Sequence, residues 1–406
     1  MAELPRPLEG VRVADFTRVI AGPSCTQALV NLGAEVIKIE PPEGDVMRRA
    51  RPVRGNGISV IWSQVNCGKT CISLDLDRPE GREVARDLAL AADVVVENFR
   101  PGVMARLGLG PEELLAAKPE LIYCSISGYG QTGAAARRRA YAPIIHAEMG
   151  LIDLGAQPRG LTPQPEPVSH ADFAVGSQAA TAVCAALFGR SQTGRGTHLD
   201  VSMAETMLAM MEWTGIEANG GMAGEIPTFW PAKAFIVQTG DGNFAQLPGN
   251  PATTFPAFAR CMGRKELLED RRFANQRARF EHLAEMTEIV RAWAATFADR
   301  EALEAAMEPM KLPVGAIRRL GDIPDDPWAV ERGAFCTVED RNGGTLRLPY
   351  STVRASGYEV GMHGRPATQG ESNEEVLRSV LGLDPGLIAA LAEAGVLVKP
   401  DADAPR

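Results

Sequence analysis

Alternation of strand and helix patterns over the first third of the chain is the feature that most constrains its fold. The helical patterns between the strands, each close to a proline or glycine, are Cys25–Leu32, Pro79–Ala91 and Pro111–Ala117. The short strand-like runs are Val11–Phe16, Glu35–Glu40, Thr70–Leu76, Asp93–Phe99 and Leu121–Ser127. This alternation predicts an α/β fold in which helices cover both faces of a doubly wound, mostly parallel sheet.

The segments that follow the predicted strands are the first places to look for a ligand. Ligands on open α/β sheets bind beyond the carboxyl ends of the strands. Thr17–Pro23, Asn98–Gly102 and Ser127–Gly130 follow three of those ends. We therefore expect functional side chains in these three segments.

The rest of the chain predicts a second, smaller domain. An Ala-rich helix is expected at Asp172–Phe188, a strand at His198–Ser202 and a helix at Met203–Trp213. Gly215–Pro231 is rich in Gly, Pro and Ala, which is typical of a linker or loop. We expect a large domain at 1–210, a linker and a small α+β domain at 211–340, and a return to the large domain at 341–406.

Composition and charge exclude several classes of function. The 406 residues are 45% hydrophobic and carry a net charge of −9, which argues against binding nucleic acid by phosphate neutralisation. Seven scattered cysteines are typical of reduced thiols in the cytoplasm, and their spacing predicts no metal site. No signal peptide or apolar run of membrane length is evident. We expect a cytoplasmic protein with no membrane contact.

Common catalytic and nucleotide-binding motifs do not match. The first strand–helix turn lacks the G-x-G-x-x-G pattern, and NCGKT at 66–70 lacks the leading glycine of a phosphate loop. Asp172 is the remaining candidate, because it stands where a polar segment turns into an apolar helix. One interpretation is a structural first-turn aspartate, favoured there by free N–H groups. The other is a carboxylate nucleophile.

Seven segments in order give the chain a resemblance to the class III coenzyme A transferases. They are Leu8–Pro23, Leu32–Asp45, Asn66–Leu76, Ala92–Leu109, Ile126–Gly133, Ala171–Gly176 and Gln192–Thr206. The family includes formyl-CoA:oxalate and carnitine CoA transferases. The resemblance implies that the chain takes an acyl-CoA donor and a carboxylic acid acceptor, with CoA as a substrate and no permanently bound cofactor.

The resemblance also implies a covalent mechanism. Asp172 matches the family's nucleophile, which forms an aspartyl–acyl anhydride and then an aspartyl-CoA thioester. Family members form homodimers of interlocked rings, so a homodimer is expected here.

Positions that match the family's binding residues are expected to contact the substrates. Those that match CoA contacts are Arg18, Val19, Leu74, Asn98, Phe99, Arg106, Arg139 and Met203. Those expected in the acid pocket are Ile20, Tyr141, His146, Gly220 and Gly221, the last two in the glycine-rich segment Asn219–Gly224. Ile20 replaces a glutamine of formyl-CoA transferases, which argues against oxalate as acceptor.

Two other functions stay open from the sequence. The same superfamily contains α-methylacyl-CoA racemases, which pair this aspartate with a histidine. Tyr141 stands at that histidine position and His146 lies five residues later, which favours transfer over racemisation. A non-catalytic acyl-CoA binder is the third interpretation.

Overall fold

The computed structural model describes residues 4–54, 59–221, 235–340 and 343–399. Within them the strands are β1 (Arg12–Asp15), β2 (Glu35–Glu40), β3 (Thr70–Ser73), β4 (Val94–Glu97), β5 (Ile122–Ser127), β6 (Thr197–Ser202), β7 (Ile236–Gln238), β8 (Phe244–Gln246), β9 (Gly315–Ala316), β10 (Phe335–Glu339) and β11 (Thr345–Pro349). The helices of the first half are α1 (Ala21–Asn31), α2 (Val60–Asn66), α3 (Pro79–Ala91), α4 (Val103–Arg106), α5 (Pro111–Ala117), α6 (Ala142–Glu148), α7 (Leu151–Ala156), α8 (His170–Thr193), α9 (Met203–Met210) and α10 (Trp213–Ala218). Those of the second half are α11 (Pro251–Cys261), α12 (Gln276–Glu281), α13 (Leu283–Ala294), α14 (Arg300–Met307), α15 (Pro327–Glu331), α16 (Asn373–Leu381) and α17 (Pro385–Glu393).

The chain divides into two compact units. Unit 1 comprises Met1–Met149, Glu166–Met210 and Pro327–Arg406, and unit 2 comprises Gly150–Pro165 and Met211–Asp326. The chain thus enters unit 2 twice. It returns to unit 1 at Pro327, whereas the sequence analysis expected the return at 341.

Unit 1 is built on a six-stranded parallel sheet in the order β3-β2-β1-β4-β5-β6. Every neighbouring pair in this sheet is parallel. This confirms the predicted α/β fold with a doubly wound, mostly parallel sheet. The order reverses direction between β1 and β4, so the loops that follow these two strands meet at the topological switch point, where such sheets bind ligands.

Helices cover both faces of this sheet. One core cluster packs α3 and α5 with the C-terminal helices α16 and α17 against apolar side chains that include Phe16 and Tyr123. On the other face α1 packs along α8, and α8 also contacts β5 and β6. The chain end therefore completes the large layer, because α16 packs against β3.

The helix α8 is longer than the sequence predicted, beginning at His170 rather than Asp172 and ending at Thr193 rather than Phe188. Among the described residues it is the one helix that is long and apolar enough to cross a membrane, and 33% of its most apolar window is buried. Its packing on α1 and the sheet is that of a layer helix. One of its faces nevertheless stays uncovered, since Phe188 is 70% exposed.

Unit 2 has its own core. An antiparallel sheet in the order β7-β8-β9 packs with α11, α13 and α14 around a cluster of apolar side chains that includes Phe235, Phe255, Phe258 and Phe273. The linker predicted at Gly215–Pro231 is wrong at its start, because α10 extends to Ala218. The remainder of that segment, from 222 on, lies outside the described residues.

Candidate active site

Two loops at the switch point are joined through one side chain. Asn98, directly after β4, accepts a hydrogen bond from the Arg18 main-chain N–H through Oδ1 and donates from Nδ2 to the Arg18 carbonyl, both at 2.8 Å. Two of the sequence-predicted CoA contacts therefore meet here. The Asn98 amide serves as a bridge between the loops after β1 and β4.

The loop after β1 also contains a strained residue. Val19 has φ 68°, in the left-handed region that a β-branched side chain strongly disfavours. Such conformations persist only where the surroundings enforce them. The main-chain N–H of Val19 donates to the carboxylate of Asp45, at 3.2 Å from Oδ2.

Asp172 lies in the first turn of α8, close to the first turn of α1. Ser24 Oγ donates to the Ala21 carbonyl at 2.9 Å and to the Asp172 carbonyl at 3.4 Å. Gly176, one turn further along α8, allows this close approach, because a Cβ there would lie 2.0 Å from Ser24 Oγ. Asp172 therefore stands at the carboxyl edge of the sheet, beside the helix that leaves the switch-point loop.

The carboxyl group of Asp172 has an unusual environment for an acid. It is half-buried, and no residue within the described ranges bonds or pairs with its carboxylate oxygens. Burial raises the pKa of Asp172 to about 6. A carboxylate at a helix start is normally stabilised by the helix dipole, so desolvation outweighs that effect here.

The main-chain amides at the start of α8 are mostly occupied. The His170 N–H donates to the Val168 carbonyl at 2.9 Å, and the Ala171 N–H donates to Nε2 of His146 at 3.1 Å. The Phe173 N–H bonds the Ser169 carbonyl at 3.3 Å. Within the described chain, the Asp172 N–H is left without a partner in this turn.

His146 caps the first turn of α8. It is 1% exposed, and because Nε2 accepts from Ala171 the proton of its neutral ring lies on Nδ1. Burial, followed by the neighbouring His170, holds the pKa of His146 below its usual value. The Nδ1 atom is buried and has no partner in the described part of the chain.

The loop after β4 borders a cleft of about 300 Å³. The Phe99 N–H donates to Glu97 at 2.8 Å, and burial raises the pKa of Glu97 to about 7. Arg106 donates to the carbonyl of Gly102, which lines the cleft, at 3.2 Å. The other lining residues are Pro101, Gln131, Thr132, Gly133, Ala134, Ala136 and Arg137.

The three consecutive arginines at 137–139 have different surroundings. Arg139, the sequence-predicted contact, is exposed. Arg138 pairs with Glu148 and lies over the Tyr129 ring. Arg137 lines the cleft and was missed by the sequence analysis. The run of three arginines was the available signal, but spacing alone does not say which of them faces a cleft.

Other predicted site residues differ in exposure. Leu74 is fully buried in the core, main chain included, and Met203 is 5% exposed at the start of α9. Ile20 caps α1 and is nearly buried. Tyr141 precedes α6 and is 65% exposed.

Gly220 and Gly221 belong to unit 2. They follow α10 with φ of 96° and 65°, values that suit glycine. The remaining residues of the predicted glycine-rich segment, 222–224, lie outside the described residues.

Known proteins resemble the chain over nearly its whole length. A family model described as CoA-transferase family III matches residues 8–373. The succinyl-CoA–D-citramalate CoA-transferase of Chloroflexus aurantiacus is 33% identical, covering 97% of this chain and 98% of that protein. The succinyl-CoA:glutarate CoA-transferase of Mus musculus is 32% identical over 97% of this chain and 90% of that protein. The acetyl-CoA:oxalate CoA-transferase of Acetobacter aceti is 33% identical over 89% and 92%, respectively.

Solved structures agree with these relatives. A CAIB/BAIF family protein from Brucella suis superposes with a TM-score of 0.78 at 30% identity, covering 93% of this chain and 100% of that one. Rv3272 from Mycobacterium tuberculosis, in an orthorhombic crystal form, gives a TM-score of 0.79 at 29% identity over 91% and 99%. The chain therefore belongs to CoA-transferase family III and is a transferase of coenzyme A.

Proposed function

We propose that this protein moves coenzyme A between two carboxylic acids and that Asp172 carries the covalent intermediates. The observation that carries the proposal is the half-buried carboxylate of Asp172, which has no hydrogen-bonding partner within the described residues and a pKa raised to about 6. Poor solvation makes such a carboxylate a better nucleophile. At pH 7 and above it is still ionised, as attack requires.

The reaction proceeds by four acyl exchanges. The Asp172 carboxylate attacks the donor thioester, which releases CoA thiolate and forms a mixed anhydride. The thiolate attacks the aspartyl carbonyl of that anhydride, which releases the donor acid and forms an aspartyl-CoA thioester. The acceptor carboxylate displaces the thiolate to form a second anhydride. The thiolate then attacks the acceptor's carbonyl, which yields the new acyl-CoA and regenerates Asp172.

The start of α8 supports the charge that develops during these steps. The Asp172 N–H is unpaired among the described residues, whereas the amides on either side of it are occupied. A main-chain N–H directed at a developing oxyanion lowers the barrier without reorganisation. The His146 cap keeps the Ala171 amide out of this role and fixes the first turn.

Cationic and aromatic residues near the cleft suit the CoA nucleotide. Arg137 lines the cleft, Arg106 donates to the carbonyl of the lining residue Gly102, and Arg139 is exposed on the same segment as Arg137. Guanidinium groups bind phosphates through charge-assisted, often paired hydrogen bonds. Phe99 is the residue that would stack on the adenine.

Short dicarboxylic acids are the proposed acyl groups. Two relatives are named for succinyl-CoA together with a dicarboxylic acceptor, which is D-citramalate in one and glutarate in the other. Ile20 presents an apolar, nearly buried side chain near the switch point, which disfavours oxalate, the smallest and most polar acid of this class. Succinyl-CoA should therefore be assayed with glutarate, citramalate and oxalate in parallel, and we expect exchange with the first two.

A homodimer is the proposed assembly. The resemblance to the class III coenzyme A transferases implies it, and the exposed side chain of Phe188 on α8 is the residue with which we test it.

An isotope-exchange assay tests the nucleophile. Wild-type protein is incubated with an acyl-CoA and the corresponding labelled free acid, and the label entering the thioester is measured. Asp172→Ala is expected to abolish exchange. Asp153→Asn is the matched control, because Asp153 occupies the first turn of another helix, α7, and is exposed. Exchange by Asp172→Ala at the wild-type rate would contradict the proposal.

A deuterium-incorporation measurement on the same protein samples distinguishes a racemase from a transferase. An α-methylacyl-CoA racemase would incorporate solvent deuterium at the α-carbon, whereas a transferase leaves that C–H bond intact. The capping hydrogen bond of His146 to Ala171 argues against that residue serving as the second base. We expect no deuterium incorporation.

A further inference from the structure

A group of buried charges lies beneath the switch-point loop and has no role in the chemistry proposed above. Its members are three acidic and three basic side chains, whose formal charges cancel: Asp15, Lys38, Glu40, Asp45 and Lys69 are at most 2% exposed, and Arg48 is largely buried beside them. Burying an ion pair is weak evidence for stabilisation, since desolvation offsets the attraction. Stabilisation of the fold therefore does not account for these buried charges. Two of them contact the loop after β1.

Lys38 and Asp45 form the part of this group that touches the loop. Lys38 Nζ lies 3.3 Å from Asp45 Oδ2, and both side chains are fully buried. The same Nζ donates to the Thr17 carbonyl at 2.8 Å. Asp45 Oδ2 accepts from the Val19 N–H at 3.2 Å. The ion pair thus holds the loop at two main-chain atoms, on either side of Arg18.

These contacts are made at and beside Val19, the residue of the loop with the least favourable backbone conformation. Val19 has φ 68°, a conformation that a β-branched residue adopts only under constraint from its surroundings. From the opposite side, Asn98 holds Arg18 through its paired hydrogen bonds. The loop is clamped in a conformation that its own sequence disfavours.

Close packing connects this loop to Asp172. A Cβ on Gly22, at the start of α1, would lie 2.3 Å from Thr17 Cβ and 3.1 Å from Asn98 Cγ. The loop and the helix are therefore packed in direct contact. Ser24, in the same turn of α1, lies 3.4 Å from the Asp172 carbonyl. A displacement of residues 17–20 is therefore passed to the first turn of α8.

We infer that the buried Lys38–Asp45 pair is a positioning device for acyl transfer, which holds Val19 in the left-handed conformation and thereby fixes the first turn of α1 against Asp172. The inference rests on the proposed function, because it takes Asp172 as the reacting group. Lys38 and Asp45 are positioning residues, since they act through the main chain of the loop.

A double-mutant cycle tests the device. Asp45→Asn removes the negative charge and leaves one accepting oxygen where two serve Lys38, Val19 and Met47. We expect kcat for acid exchange to fall roughly tenfold or more, with a smaller change in KM for the donor, as misplacement of a reacting group does. With Val19→Gly, residue 19 no longer needs the Lys38–Asp45 contacts to hold its conformation, because glycine adopts positive φ freely. In that background Asp45→Asn should cost less than about threefold.

Asp93→Asn is the matched control. Asp93 pairs with Arg190 at 3.0 Å at the amino-terminal end of β4, at the opposite edge of the sheet. Its loss should lower the melting temperature while leaving kcat unchanged. Equal activity losses from Asp45→Asn in the wild-type and Val19→Gly backgrounds would overturn the inference.

Hydrogen exchange on the unmodified protein covers the case in which Asp45→Asn does not fold. The Val19 amide should exchange many-fold more slowly than an open-loop amide, because it donates to a buried carboxylate. Exchange at the open-loop rate would refute the device. Failure of the proposed function has a different signature: Asp172→Ala would then remain active, whereas failure of the device leaves Asp172→Ala inactive and Asp45→Asn at the wild-type rate.

Discussion

Asp172 illustrates how the environment of one residue decides between a structural and a chemical role. Its position was readable from the sequence, because a polar segment gives way to an apolar helix there. Its desolvation was not readable, since that depends on α1 packing across the first turn of α8. The raised pKa of about 6 comes from burial and from the lack of a partner within the described residues.

The pH dependence of exchange should reflect this carboxyl group. The ionised form attacks, so kcat/KM is expected to rise about tenfold per pH unit below pH 6 and to level off above about pH 7. Steady-state rates measured in one buffer series of constant ionic strength check this. A profile that is flat down to pH 4.5 would be inconsistent with the raised pKa.

Ionised Asp172 should also lower stability. Its folded-state pKa of about 6 lies above the ordinary value of 3.8, so the folded state binds more protons between these values, and the free energy of unfolding falls as pH rises through that window. Asp172→Asn should therefore be more stable than wild type by about 2–3 kcal/mol at pH 8, with the gain vanishing near pH 4. Urea unfolding at both pH values measures it, with Asp153→Asn as control. A variant less stable than wild type at pH 8 would contradict this.

At the scale of elements, the packing of α1 against α8 positions the first turn of α8, which contains Asp172. Gly176 lies at their closest approach, where a Cβ would be 2.0 Å from Ser24 Oγ and 2.8 Å from the Ala21 carbonyl. The helices therefore cannot keep their separation if this residue gains a side chain.

Gly176→Ala should separate the two helices. We expect a loss of about 1–3 kcal/mol in the free energy of unfolding, together with reduced exchange activity, because the first turn of α8 must move. Gly189→Ala is the control in the same helix, since nothing lies within 4 Å of its Cβ position. That variant should gain about 0.5–1 kcal/mol from helix propensity. Equal stability of the two variants, measured by urea unfolding, would refute the packing argument.

The strands of the large sheet were predictable, and the short helices were less so. β2, α3 and α5 have the predicted bounds, because their apolar periodicity and flanking prolines give unambiguous ends. The start of α1 was placed at Cys25 instead of Ala21, since Pro23 is typical of a break. Proline is tolerated in a first turn, where its missing N–H would have had no partner. The short α2 and α6 have too little periodicity to be detected.

Among the candidate site residues, positions after strand ends could be predicted from the sequence, whereas contacts that depend on packing could not. Arg18, Asn98 and Phe99 lie at the switch point as expected. The sequence did not indicate that His146 caps α8, and Lys38 and Asp45 gave no signal because buried ion pairs have no local pattern.

At the scale of the whole molecule, the proposed homodimer would cover the exposed side chain of Phe188 on α8. We expect the protein to sediment at twice the mass of the 43.4 kDa chain. Phe188→Glu, which places a charge on this face, should shift the protein toward the single-chain mass without loss of helical circular dichroism. Wild-type protein that sediments as a single chain at micromolar concentration would contradict the assembly.

Trapping the covalent intermediate tests the central claim most directly. The protein is mixed with succinyl-CoA, quenched with hydroxylamine and digested, and the peptide containing Asp172 is examined by mass spectrometry. An activated aspartyl carbonyl reacts with hydroxylamine, so a hydroxamate at Asp172 that requires the acyl-CoA is the predicted result. Acid exchange that proceeds while Asp172 stays unmodified, or a hydroxamate on a different carboxylate, would contradict the account.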